Sequence, residues 1–206
     1  MSGQLIDWIQ RAENLFAQST NRIIWNLFLA FIPLTLSFYL FRSQVRRNIS
    51  WWILLIIFIA FLPNAPYILT DSIHIVELSQ QYSKWAIATI VIPQYAVFII
   101  LGFEAYVISL SRIDRYLTDY LSPQYKILTK AIVHSLCIIG VYLGRFERFN
   151  SWDFVTKPDI VLLTMIEDLF DLRKLLSMAI AVLMLWSLSE IVKLVNQKIE
   201  QRTVKQ

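Results

Sequence analysis

The chain has 206 residues, of which 57% are hydrophobic and 17% charged, with a mean hydropathy of +0.55 and a formal net charge of +4. A soluble domain averages about 25% charged and about 45–50% apolar residues, so this composition excludes a chain that hides its apolar side chains in one water-soluble core. Four glycines and six prolines also exclude a disordered or fibrous chain, which needs polar or Gly/Pro-rich stretches.

Residues 1–22 mix Leu5, Ile6, Trp8, Ile9, Leu15 and Phe16 with Asp7, Arg11 and Glu13. The pattern is amphipathic and lacks the basic start, apolar middle and small-residue cleavage site of a signal peptide. It predicts an interfacial helix lying on a membrane surface. A hydrocarbon layer about 30 Å thick takes about 20 helical residues, and five stretches meet that length: 23–41, 51–69, 85–110, 127–143 and 175–195. Pro63-Asn64-Ala65-Pro66 interrupts the second, and the third contains Pro93, Gln94 and Glu104. Cys137, the single cysteine, lies in the fourth. It can form no intramolecular disulfide and reads as a small buried hydrophobe. Between the last two spans, 159–174 follows Pro158 and repeats Ile160, Leu163, Ile166, Leu169 and Phe170 at helical spacing, with Glu167, Asp168 and Asp171 on the other side. That predicts a second interfacial amphipathic helix. A polar tail, 196–206, ends the chain. Open sheets are excluded in lipid and no stretch alternates as a barrel strand must. The expected fold class is all-α, a polytopic membrane helix bundle with its transmembrane domain over 23–195.

Lys and Arg collect on the cytoplasmic side of short loops. The loops after the first and third spans and the tail carry ten (Arg42, Arg46, Arg47, Arg112, Arg115, Lys126, Lys193, Lys198, Arg202 and Lys205), against eight on the other side. This bias predicts an outside N-terminus and a cytoplasmic C-terminus. Independently of orientation, the ends of the second and fourth spans are two crossings apart and face one compartment. The polar segments 61–74 (FLPNAPYILTDSIH) and 144–153 (GRFERFNSWD) therefore share an address.

In the first segment Pro63 and Pro66 each remove a backbone donor, and non-helical backbone at membrane depth needs protein or a water-filled cavity to satisfy it. Asn64 and Tyr67 can supply partners, and Thr70 or Asp71 can cap a helix starting near Ser72. Asp71, His74 and Glu77 then stand at i, i+3 and i+6, the first two on one face and the third about 60° further round. A His with carboxylates suits metal binding or proton transfer; a capped helix with a wet face is the other reading. In the second segment, Arg145, Glu147, Arg148, Asn150, Ser151 and Asp153 alternate with Phe146, Phe149 and Trp152. The arginines suit a phosphate or carboxylate, or they pair with Asp71, Asp153 and Glu147 and clamp the segments together. Asp153 is a carboxylate partner for His74, and Phe146 and Phe149 fit an interfacial aromatic belt.

Ionisable residues inside spans are functional candidates once a partner is named. Glu104 and Lys130 share a depth and predict a buried pair, with His134 one turn beyond Lys130; helix orientation by such a pair is the alternative. Glu190 is explained by snorkelling at a span end. There is no phosphate-binding loop, nucleophile elbow, zinc-protease or dinucleotide fingerprint, no inverted repeat of the transporter kind, and no basic run dense enough for nucleic acid.

The phrases FLPNAPYILTD and GRFERFNSWD, joined by hydrophobic spans, resemble an uncharacterised bacterial integral membrane family, domain of unknown function 1361, over residues 23–195. The resemblance implies a multi-span membrane protein with no catalytic residue to carry over. The expectation is a multi-pass inner-membrane protein with a polar extracytoplasmic site built from Asn64, Tyr67, Asp71, His74, Arg145, Arg148, Asn150 and Asp153. Its ligand would be a small anion or lipid headgroup. Two alternatives stand beside it. One is a metal-assisted enzyme acting on a lipid or envelope precursor, with Asp71, His74 and Asp153 as ligands. The other is a proton- or ion-coupled carrier using Glu104, Lys130 and His134. No cofactor is named by the sequence, and oligomeric state is not legible in it.

Overall fold

The computed structural model describes residues 2–42, 46–150 and 152–203, without the side chains of 2–12, 14 and 18. Its elements are α1 (Ser2–Leu40), α2 (Ile49–Phe61), α3 (Asn64–Tyr67), a 3-10 turn (Ile68–Ser72), α4 (Ile73–Gln81), α5 (Lys84–Ala86), a π-helical turn (Ile87–Val91), α6 (Ile92–Thr118), α7 (Pro123–Arg145), α8 (Asp153–Thr156), α9 (Pro158–Phe170) and α10 (Leu172–Thr203). No strand occurs among the described residues, and the fold is all-α. Five helical stretches are long and apolar enough to cross a membrane: Leu15–Leu40, Ile49–Gln81, Lys84–Thr118, Pro123–Arg145 and Leu172–Thr203. Only 17–39% of the most apolar window of each is buried in protein. In water each exposed large apolar side chain would forgo about 1.5–3 kcal/mol of burial, so this outward surface belongs in a lipid bilayer.

The expected break between an N-terminal surface helix and the first span is absent, because α1 runs through both. No proline or glycine falls between 4 and 32 to stop it, and the polar residues at the expected junction find partners. Ser19 Oγ donates to Leu15 O (2.9 Å) and lies 2.8 Å from Gln94 Oε1, while Gln94 Nε2 donates to Thr20 Oγ1 (3.1 Å). The side chains of Leu5, Ile6, Asp7, Trp8, Ile9 and Arg11, together with Ser151 and Lys205, lie outside the described residues.

The second span breaks where its prolines require. Helix α2 stops at Phe61, Leu62 N donates to Phe58 O (2.8 Å) and Ala65 N to Leu62 O (3.2 Å), and the Asn64 amide donates to Phe61 O (3.0 Å). Helical geometry then resumes to Gln81, beyond the expected end at 69. Neither Thr70 nor Asp71 caps α4, because the backbone is already helical there: Ile73 N donates to Thr70 O and Asp71 O, and the Thr70 hydroxyl donates back to Tyr67 O (2.7 Å). Two glycines set how closely the neighbours approach this break. A Cβ at Gly102 of α6 would overlap Ile68 Cδ1, and one at Gly140 of α7 would stand 2.6 Å from Pro63 Cγ.

In helix α9 Val161 is buried, while Ile160, Leu163, Ile166 and Phe170 of the expected apolar face are exposed. The helix ends at Phe170, four residues early, because Asp171 caps α10 instead: its Oδ1 accepts from Arg173 N (2.8 Å) and Lys174 N (3.3 Å). Asp168 is buried and ion-paired with Lys174 (2.5 Å) rather than lying on a wet face. At the other end of the bundle, Arg112 Nε donates to Ser37 O (3.2 Å) and Arg47 Nε to Tyr116 Oη (3.0 Å). The latter bond shifts the Arg47 pKa upward. These contacts gather the end of α1, the start of α2 and the end of α6.

Candidate functional site

The two polar segments meet. Asp71, 1% exposed, accepts from Asn26 Nδ2 of α1 at 2.5 Å and lies 3.6 Å from Arg145 Nη1 at the end of α7. Arg145 Nη2 donates to Thr70 O (2.7 Å), its Nη1 to Tyr67 Oη (3.4 Å), and the guanidinium sits 5.7 Å from the Tyr67 ring centre. A carboxylate this far from water persists when it is paired and hydrogen-bonded. One cation and one amide thus tie α1, the broken span and α7 into a clamp.

His74 and Asp153 stand apart from each other. His74 Nε2 is 3.8 Å from Asp71 Oδ1, and its Nδ1 is 2.6 Å from Glu77 Oε2. Asp153 Oδ2 accepts from Asn150 N (2.6 Å), so its carboxylate closes its own turn, a local use that competes with any distant partner. The expected pairing of Asp153 with His74 is therefore not formed. Among the described residues no group of three His, Cys, Asp or Glu is placed to hold a metal ion, and Asp71, His74 and Asp153 do not assemble as a ligand set.

Beside the clamp lies a cavity of about 660 Å³. Its deep walls are Leu29 of α1, Ile56 and Ile59 of α2, and Leu136 and Ile139 of α7; its polar end carries Asn64, Tyr67, Arg148 and Asn150. Four of the eight expected site residues therefore line it, and Asp71, His74, Arg145 and Asp153 do not. Arg148 has φ 59°, the one positive value at a non-glycine residue among those described. This left-handed conformation costs a side chain on the order of 1–3 kcal/mol. It turns the chain so that Phe149 N reaches Leu143 O (3.0 Å), and Gly144 lies beside that turn and the Tyr67 ring. Arg148 is exposed, and no hydrogen bond or ion pair to a described residue engages its guanidinium. Glu147, by contrast, pairs with Lys174 (3.7 Å).

Several contributors were not singled out in the sequence. Asn26 is an amide inside an apolar span, a type that needs a partner in lipid. Gly140 and Gly144 form the small-xxx-small spacing of close helix contacts. Trp25 reaches the cavity from α1 and carries no local signal.

The far end of the bundle holds the intramembrane charges. Lys130 Nζ lies 3.1 Å from Glu190 Oε1 and 3.7 Å from Asp114 Oδ2. Asp114 also meets Lys193 (3.0 Å) and Lys126 (3.7 Å). The expected Glu104–Lys130 pair does not form; Glu104 accepts from the Asn196 amide of α10. Register explains this. Tyr106 Oη and His134 Nδ1 are 2.7 Å apart across the antiparallel α6 and α7, so residue 110 is level with Lys130 and Glu104 lies about 9 Å away along the axis. His134 is buried and stacked on Trp186, with ring centres 5.5 Å apart and Ser189 Oγ 3.5 Å from its Nε2. Glu190 is an ion-pair partner, not a snorkelling residue. The void beside this cluster is about 20 Å³.

The model of a family described as protein of unknown function (DUF1361) matches residues 25–201. No curated protein and no solved structure gives a match.

Proposed function

We propose that this chain, which belongs to the DUF1361 family of proteins of unknown function, binds a small anionic group, a phosphate or carboxylate, at the polar end of its cavity. The Arg148 guanidinium supplies the charge and a bidentate face; the Asn150 amide and the Tyr67 hydroxyl supply neutral hydrogen bonds. One observation carries the reading. Of two arginines three residues apart, Arg145 is consumed by Asp71, whereas Arg148 has no hydrogen-bond or ion-pair partner among the described residues and lines a 660 Å³ cavity, in a backbone conformation that favours glycine. A strained, unpaired cation at a concave site is the pattern of a binding group rather than a structural one. The Lys and Arg bias of the loops supports an inner-membrane orientation with this cavity on the extracytoplasmic side.

The test is thermal unfolding of the detergent-solubilised protein in inorganic phosphate against chloride at matched ionic strength. Phosphate is expected to raise the melting temperature by mass action, and Arg148→Ala to abolish the rise without lowering the chloride value. An equal rise in wild type and variant would remove the proposal.

A further inference from the structure

We infer that the anion is the headgroup of a membrane lipid, one of whose chains lies in the slot between α2 and α7; the inference rests on the anion-binding reading of the same cavity. The cavity is graded from end to end. Its polar groups cluster beside Arg148, and its far wall, at Ile56, Ile59 and Leu136, is wholly apolar. From Leu136 to Gly144 the slot follows α7 for eight residues, about 12 Å at 1.5 Å per residue. The gradient runs along the helices, hence across the bilayer, polar toward the aqueous boundary and apolar toward the midplane. A lipid in that leaflet has the same polarity in the same direction. A soluble anion needs only the rim and gives the deep half of the slot no purpose.

The slot is also open in the plane of the membrane. Helix α7 meets the second span at α3, where Gly140 abuts Pro63, rather than along α2. Ile56 is 67% and Leu136 46% exposed, so side chains that wall the cavity face lipid. A chain can therefore enter sideways without crossing water. A volume of about 660 Å³ falls within the roughly 300–1,000 Å³ of single-ligand pockets, room for one chain and a compact headgroup while a second chain stays in the bilayer.

The experiment uses the full chain in detergent and three probes: a 16-carbon lysophosphatidic acid, glycerol 3-phosphate with a like anion and no chain, and lysophosphatidylcholine with the same chain and no net negative charge. Binding of lysophosphatidic acid is expected to be at least about tenfold tighter than that of either control. Arg148→Ala should weaken it about tenfold or more. Ile59→Trp, which fills the slot from a lipid-facing position, should bring it to the glycerol 3-phosphate level and leave glycerol 3-phosphate unchanged; Leu136→Trp is the equivalent variant if the first folds poorly. Equal binding of lysophosphatidic acid and glycerol 3-phosphate, with both tryptophan variants silent, overturns the lipid inference and leaves the anion site standing. Equal binding of the two lysolipids, or no effect of Arg148→Ala, overturns the anion site and the lipid inference with it.

Discussion

The two ends of the bundle carry similar charges and use them differently. At the far end, Asp114 is surrounded by Lys126, Lys130 and Lys193, Lys130 also holds Glu190, and the adjacent void is about 20 Å³. At the cavity end, Arg145 is engaged by Asp71, but Arg148 is left over beside about 660 Å³ of space. Density of ionisable residues therefore does not identify a site in this molecule. What separates the ends is whether the charges are used up by the protein, and whether room remains next to one that is not.

That contrast can be broken most forcefully at the clamp. Asp71→Ala leaves Arg145 and the Asn26 amide without their carboxylate, and loss of one partner of a buried pair costs about 3–5 kcal/mol; chemical denaturation in detergent should show a loss of this size. Asp71→Asn, which keeps the Asn26 and Arg145 side chains in contact with an oxygen, should lose less. Next comes the seam between α7 and the broken span. Gly140→Leu forces a side chain into Pro63, and overpacking of this kind costs about 1–3 kcal/mol. Gly144→Ala, whose Cβ would stand 3.4 Å from Tyr67 Cε2, should be close to neutral in the same denaturation curves. At the far end, removal of Lys126, one of three lysines around Asp114, should cost no more than about 1 kcal/mol and leave anion binding untouched; a loss of binding there would erase the distinction between the two ends. The smallest effect sharpens it. Arg148→Gly removes the guanidinium and relieves the left-handed strain, so stability should rise by about 1 kcal/mol while the response to phosphate disappears, the exchange of stability for function expected at a binding residue.

Much of this architecture can be read from the amino-acid sequence. The hydrophobic stretches, the proline break after Leu62 and the shared end of the bundle for segments 61–74 and 144–153 follow from run length, backbone chemistry and the number of crossings. The division of labour between Arg145 and Arg148 does not, because it depends on where α7 stops: Arg145 is its last residue, and Arg148 falls after it in the left-handed position that aims its side chain elsewhere. Asn26 meets Asp71 from 45 residues away, a contact that periodicity cannot supply. The Glu104–Lys130 pairing failed on register, since equal depth to within a turn and a half is too coarse for a salt bridge. The expected Asp153–His74 pairing gives way because the Asp153 carboxylate has a nearer use in its own turn, at Asn150 N. The expected surface helix at the N-terminus is continuous with the first span because Gln94 satisfies the polar residues at its expected end.

The most direct test sets the two arginines against each other. Arg145→Ala and Arg148→Ala, measured side by side for unfolding free energy and for glycerol 3-phosphate binding, should separate cleanly: the first loses stability by several kcal/mol, and the second keeps its stability and loses the ligand. If Arg148→Ala instead unfolds the protein while binding survives in whatever remains folded, Arg148 is a second clamp and the cavity has no anion site.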